Sequence, residues 1–304
     1  MGSHNSKALT RDGLSKLMES SNAVQIISEE HKKLMSIKVE GTLAASRTTA
    51  HLENTQNDAP ELCFDHSRVV LSEETGTNNY QLTFPINATY IEGFNHPKAY
   101  ITTKTPDSET TICNFWKMIW EHRTKIIVTF QESEESVDGI SYWNPEEGSS
   151  LQFGKLRIET YKIIESHPSF QIANLLITDE NGATLFVNQL LFTKWQQVNI
   201  SPPQSYFIEL LLMVQLYNQS PVEAVSQEGY NSPIVVHCSD GLQRSMVFCA
   251  TDIALSSISE TGEVNLYSIV SKLRKDKYNC LYSVNDYCFC YIAVYYYITF
   301  YKTA

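Results

Sequence analysis

The stretch IVVHCSDGLQRSMVFCATDIAL, residues 234–255, sets an apolar strand, a short polar turn and an amphipathic helix in immediate succession. Cys238 and Arg244 bracket the turn at the spacing C-x5-R. A loop of successive backbone N–H groups running into a helix N-terminus binds anions, because its unsatisfied donors and the helix dipole point at the same place. The same field draws a cysteine toward thiolate. Arg244, in the first helical turn, carries the planar fork that clamps two phosphate oxygens, and the Ser245 hydroxyl can hydrogen-bond the sulfur as it leaves. Read this way, Cys238 is a nucleophile at the base of a phosphate cradle made by Ser239, Asp240, Gly241, Leu242 and Gln243. A buried core cysteine at a strand end and a surface arginine would satisfy C-x5-R equally well.

The rest of the 304-residue chain bounds the choice. It is 42% hydrophobic and 19% charged, with a formal net charge of −11. That acidity argues against a nucleic-acid partner, which needs clustered Lys and Arg. Seven cysteines without a CxxC pair suit neither a disulfide framework nor a zinc ribbon, so the chain reads as reduced and intracellular. Residues 1–30 hold no apolar signal core, and the sequons at Asn87, Asn199 and Asn218 are expected to stay unmodified. The most apolar segment, residues 287–301, is shorter than the ~20 residues that span a bilayer and reads as a buried aromatic helix. The opening MGSHNS places Gly2 and Ser6 in the pattern M-G-x-x-x-[ST], so Gly2 is a candidate for N-myristoylation and transient membrane contact. The same letters also open purification tags.

Helices are expected over residues 10–20 and 23–36, the second with Val24, Ile27, Leu34 and Ile37 as its apolar positions, followed by a polar loop over 41–60. Beyond residue 62, strands and helices alternate. RVVL (68–71) and a hairpin-like region ending in NATYI (87–91) lead to a helix, TTICNFWKMIWEHR (110–123), in which Trp116 and Trp120 form a core face, and then to a buried strand, KIIVTF (125–130). Strands LRIETYKII (156–164) and LLIT (175–178) follow, and a DENG turn (179–182) joins the last to TLFVNQLLFT (184–193). A helix over 206–218 precedes the strand PIVVHC (233–238) and a long helix over 244–257. This is an α/β pattern with a largely buried sheet.

VVHCSDGLQRS resembles the signature H-C-x-x-G-x-G-R-[ST]-G of protein tyrosine phosphatases. FDHSRVVL (64–71), INATYIEGF (86–94), KAYITTKTPDSETTICNFWKMIWEHR (98–123), YW (142–143) and FTKW (192–195) are similar to further motifs of that family, in the same order. The likeness spans roughly residues 30–301 and is greatest to the tyrosine phosphatase-like proteins of polydnaviruses (bracoviruses). The resemblance implies a single domain, a twisted mixed sheet flanked by helices, over 23–304, with residues 1–22 as an N-terminal extension. It also implies two-step phosphotyrosine hydrolysis through a cysteinyl-phosphate on Cys238, with no metal or cofactor, and Arg244 as transition-state clamp.

Several positions depart from the family pattern. The acid loop W-P-D becomes Trp195, Gln196 and Gln197, and residues 195–208 contain no Asp, Glu or His. An amide cannot donate a catalytic proton, and losing a general acid costs ~10²- to 10⁴-fold in rate. The recognition loop K-N-R-Y falls on Thr55, Gln56, Asn57 and Asp58, the second cradle glycine on Gln243, the residue after Ser245 on Met246, and the late-loop glutamines on Tyr282 and Asp286. A side chain at Gln243 is expected to strain or crowd the cradle. The Glu that braces the arginine is either Glu134 or Glu135. His237 either supports Cys238 or is a hydrogen-bonded core residue, and Cys249, Cys280, Cys288 and Cys290 read as sheltered thiols. CSDG followed by Arg also occurs in phosphoinositide phosphatases of the myotubularin kind, although the flanking motifs favour the tyrosine phosphatases. Asp240 is expected to face solvent, since a carboxylate turned inward repels phosphate.

Two functions follow. One is a pseudophosphatase that binds tyrosine-phosphorylated proteins or other partners in the host-cell cytoplasm and suppresses insect immune-cell signalling. The other is a weakly active tyrosine phosphatase.

Overall fold

The computed structural model describes residues 7–43, 63–72, 86–130, 141–164, 167–195, 203–219 and 232–301. In chain order these form β1 (Leu9–Thr10), α1 (Arg11–Met18), α2 (Ala23–Ser36), β2 (Ala88–Ile91), β3 (Tyr100–Lys104), α3 (Glu109–Glu121), β4 (Ile126–Phe130), β5 (Ser150–Phe153) and β6 (Leu156–Ile164). There follow β7 (Phe170–Thr178), β8 (Thr184–Phe192), α4 (Gln204–Gln219), β9 (Ile234–Cys238), α5 (Arg244–Thr261), β10 (Glu263–Val264), α6 (Leu266–Asp276) and α7 (Val284–Phe300). The architecture is α/β, as the alternation of elements implied. The expected polar loop falls mostly within 44–62, and most of the expected hairpin within 73–85, both outside the described residues.

The sheet has eight strands in the order β2-β3-β9-β4-β8-β7-β6-β5. Its centre is parallel, β9 lying between β3 and β4 and β4 beside β8, while the flanking pairs are antiparallel. Alternation along each strand divides the core into two. Ile126, Val128 and Phe130 of β4 and Ile234, Val236 and Cys238 of β9 join the cluster under α4, α5 and α7, whereas Ile127 and Val235 join the cluster under α3. Ser108 and Thr111 form a capping box that starts α3. Trp116 is fully buried and donates its Nε1–H to the Tyr142 carbonyl at 2.8 Å, with Trp120 packed beside it, the core face expected of this pair.

Helix α5 differs from the amphipathic segment expected. Met246–Leu255 is buried on every side, because α5 sits between the sheet and α6 and α7 rather than at the surface. Its buried Asp252 is reconciled with this position by accepting hydrogen bonds from Tyr100 Oη at 2.6 Å and Gln215 Nε2 at 2.8 Å. The aromatic C-terminal helix is α7, which buries Tyr287, Phe289, Cys290 and Tyr291. No helix among the described residues is long and apolar enough to cross a membrane.

The N-terminal segment is joined to this core. Thr10 Oγ1 caps α1 by accepting from Gly13 N at 3.2 Å, β1 pairs with β10, and Leu14 is fully buried against the cluster that contains α7. Helix α2 turns Ala23, Ile27, His31 and Leu34 inward. Ile27 and Leu34 were expected there, but Val24 is 72% and Ile37 38% exposed. Val24 follows Ala23 by a rotation of about 100°, and Ile37 lies past the end of the helix. His31 donates its Nε2–H to the Leu281 carbonyl at 3.1 Å, and Glu30 accepts from the Tyr287 and Tyr291 hydroxyls. Leu14→Ala is expected to lower stability by about 2–5 kcal/mol in urea unfolding. An unchanged midpoint would mean that α1 hangs on the fold without supporting it.

Candidate active site

The carboxyl ends of parallel strands form the crevice in which open α/β sheets bind ligands, and Cys238 ends the strand at the centre of this one. Its carbonyl accepts from Thr105 N at 2.9 Å, which ties the end of β9 to the segment leaving β3. The chain then turns through residues 239–243 into α5. Gly241, at φ +65°, takes the one left-handed position in the turn, a conformation that a side chain resists. Gln243, where the family has glycine, lies at φ −108° and ψ −80°, so its backbone makes no demand for glycine and the expected strain is not there. It is the helix N-cap through its carbonyl, which accepts from Met246 N at 3.0 Å and Val247 N at 2.8 Å. Its side-chain Oε1 is buried with no hydrogen-bond partner among the described residues.

Asp240 departs most from expectation. Instead of facing solvent, its Oδ1 accepts from Leu242 N at 2.9 Å and from Gln243 N at 3.1 Å, and lies 3.2 Å from Cys238 Sγ. Repulsion between a carboxylate and phosphate concerns the occupied site. With only the loop's own groups to consider, two orphan N–H donors and a thiol attract the nearest acceptor. Cys238 Sγ also lies 3.4 Å from Ser245 Oγ. A thiol has one proton, so it goes to the carboxylate, and the Ser245 hydroxyl is left to donate to sulfur.

The thiol is fully buried. Burial foremost, and the Asp240 charge after it, push it up to about 12, against partial relief from hydrogen bonds to Ser245. Helix N-termini lower a cysteine pKa when nothing opposes them; here desolvation and a carboxylate do. Arg244 is 6% exposed, and its guanidinium carbon lies 5.9 Å from the centroid of the Trp195 ring, within cation–π range. Trp195 itself packs against Phe130, Phe207 and Phe289, so the last described residue before the acid-loop position is anchored in the core.

A second carboxylate belongs to the same field. Burial first, then the charge of Asp240, raise Asp286 to about 6, while Arg244 and the hydrogen bond to Ser283 oppose the rise. Tyr282, by contrast, is 51% exposed.

His237 is a hydrogen-bonded core residue. It alternates with Cys238 and so faces the α3 side, its Nδ1 3.1 Å from Thr105 Oγ1 and its Nε2 2.9 Å from Thr129 Oγ1 and 3.0 Å from Tyr142 Oη. Burial drives it down to about 3, so it is neutral. Its link to Cys238 runs through Thr105, which touches both residues. Cys249, Cys280 and Cys290 are buried and Cys288 is partly so. Among the described residues no group of His, Cys, Asp and Glu is arranged to hold a metal ion. Gly2, Thr55–Asp58 (residues 55–58), Glu134, Glu135, Gln196 and Gln197 lie outside the described residues.

The described geometry thus brings together Cys238, Asp240, Arg244, Ser245, Trp195 and Asp286. Sequence reasoning misjudged Asp240 and did not foresee the Trp195 contact. The signal for the first was Asp-x-x before Gln243, since an Asp side chain accepts readily from backbone N–H groups two residues on.

A protein-tyrosine phosphatase family model matches residues 53–296. The chain belongs to that family. It is 32% identical over 283 residues to tyrosine phosphatase H2 of Microplitis demolitor bracovirus (isolate Webb), an alignment covering 90% of this chain and 84% of that protein. It is also 32% identical over 302 residues to tyrosine phosphatase-like protein J1 of the same virus, covering 97% of each. Human tyrosine-protein phosphatase non-receptor type 9 is 32% identical over 282 residues, covering 89% of this chain and 46% of that protein.

The raised carboxyl of Asp286 yields a test with a definite sign. A group that binds its proton more tightly when folded contributes stability fully below its unfolded pKa and loses it as pH rises through the folded value, here about 6. Asp286→Asn should therefore raise the unfolding free energy in urea at about pH 8, by on the order of 1–3 kcal/mol, and leave it unchanged near pH 3. A less stable variant at the higher pH would show that the carboxylate is a net stabilising partner of Arg244.

Proposed function

We propose that this chain is a catalytically impaired tyrosine phosphatase that acts by engaging tyrosine-phosphorylated proteins. The observation that carries the reading is the Cys238 thiol, buried, donating to Asp240 and pushed up to about 12, so that the nucleophile is held in its unreactive form. Gln197 at the general-acid position supports it. Even when sulfur attacks phosphorus and the S–P bond forms, the departing tyrosine oxygen needs a proton that an amide does not supply. The setting suggested by the likeness to bracovirus proteins is the cytoplasm of a host insect cell, with interference in immune-cell phosphotyrosine signalling as the role. N-myristoylation at Gly2 would add a weak, reversible membrane contact.

A second reading, slow phosphotyrosine hydrolysis, is favoured by what the site keeps. Arg244 is buried in the first turn of α5, and Ser245 Oγ is within 3.4 Å of sulfur.

The two separate by leaving group. The impaired reading predicts that phosphotyrosine peptide is hydrolysed ~10²-fold or more slowly than by an ordinary family member, with para-nitrophenyl phosphate, whose leaving group needs no proton, less affected. Cys238→Ser provides the blank. Peptide turnover near the ~10 s⁻¹ typical of enzymes would sink it. Gln197→Asp is expected to raise peptide turnover and leave para-nitrophenyl phosphate little changed; no gain would place the limit at Cys238 and its loop. Tyrosine-phosphorylated proteins should be retained by the wild-type chain and lost with Arg244→Ala.

A further inference from the structure

We infer that Asp240 occupies the phosphate cradle from within, its carboxylate standing where an oxygen of a bound phosphate would stand, so that any phosphate ligand must displace it. The inference rests on the assignment of residues 238–244 as a phosphate site.

Oδ1 of Asp240 gathers three groups at once: Leu242 N at 2.9 Å, Gln243 N at 3.1 Å and the Cys238 thiol at 3.2 Å. Two of the three are backbone donors of the cradle, and the third is the group that would attack phosphorus. An oxygen placed so is both a competitor and a proton trap. As a competitor, it satisfies donors that a phosphate oxygen needs. As a proton trap, it gives the thiol an acceptor only while the thiol keeps its hydrogen; an ionised sulfur would face the carboxylate with no proton between them.

The loop is braced in this state from outside. Leu281 N donates to the Leu242 carbonyl at 3.2 Å, and Gly241 provides the left-handed bend that brings residues 242 and 243 back toward Asp240. The charge of Asp286 is felt together with that of Asp240, and Arg244 opposes both. A phosphate dianion therefore meets a cradle two of whose donors are engaged and beside which two carboxylates carry its own sign. When a binding-competent state is only a fraction of the population, the apparent dissociation constant is the intrinsic one divided by that fraction. A small phosphate ligand pays this in full, whereas a phosphoprotein can offset it with contacts beyond the loop.

The test is calorimetric titration of the full chain with inorganic phosphate and with tungstate, comparing wild type, Asp240→Ala and Asp240→Asn. Asp240→Ala should bind both anions at least about tenfold more tightly than wild type, equivalent to about 1.4 kcal/mol. Asp240→Asn, whose amide oxygen can still accept from residues 242 and 243 but carries no charge, should fall between them. In parallel, alkylation of Cys238 by iodoacetamide near neutral pH, followed by mass spectrometry, should be faster in both variants. Equal anion affinity in wild type and Asp240→Ala overturns the inference, even if alkylation accelerates, because the carboxylate would then tune the thiol without filling the cradle. Should Asp240→Ala fail to fold, Asp240→Asn decides by the same comparison. These readouts involve no turnover, so they stand or fall separately from peptide hydrolysis by the wild-type chain.

Discussion

Buried backbone donors must find acceptors, and around Cys238 that requirement shapes everything nearby. Strand β9 is hydrogen-bonded on both edges, to β3 and to β4, so its own groups are spent until it ends. Past Cys238 the chain leaves the sheet and has to enter α5, whose first N–H groups have no partner within the helix. The loop between them is a concentration of unsatisfied donors by construction. A phosphate answers that need in one way. In this chain a side chain from the loop itself answers it in another.

The electrostatics follow from the same arrangement. A buried thiol, a buried guanidinium and two partly buried carboxylates interact past the end of β9. Water screens little there, so the sign of each neighbour is felt directly. Asp240 holds the proton on Cys238 and raises Asp286, and Arg244 opposes only part of the accumulated negative charge. The chain's net charge of −11 makes no general surface attraction for anions, so the loop donors and Arg244 are a local exception to that field. Cys238, Arg244 and Ser245 are thus retained beside a carboxylate that accepts from the thiol.

Much of this could be read from residues alone, because strand and helix periods are written in the apolar pattern. β4, β9, α3 and α7 follow from runs such as KIIVTF and from the aromatic C-terminal segment, and the order of the motifs fixes how they join. What the pattern could not convey was direction. Val24 and Ala23 are adjacent, and only tertiary packing selects the smaller residue for the interface. α5 looks amphipathic because it carries Thr251 and Asp252, yet both are inside, Asp252 accommodated by Tyr100 and Gln215 from other elements. Asp240 departs from expectation for a related reason: the acceptors it offers are taken up by backbone N–H groups of its own loop and not by solvent.

Leu281 connects two parts of the molecule that the sequence separates by more than two hundred residues. Its N–H holds the Leu242 carbonyl, its own carbonyl holds His31 of α2, and it does both from φ +51°, a backbone setting that a leucine adopts only when its surroundings insist. It is therefore a shared anchor for the loop and for α2. The loop after Cys238 and helix α2 are thereby fastened to the two peptide units on either side of one Cα.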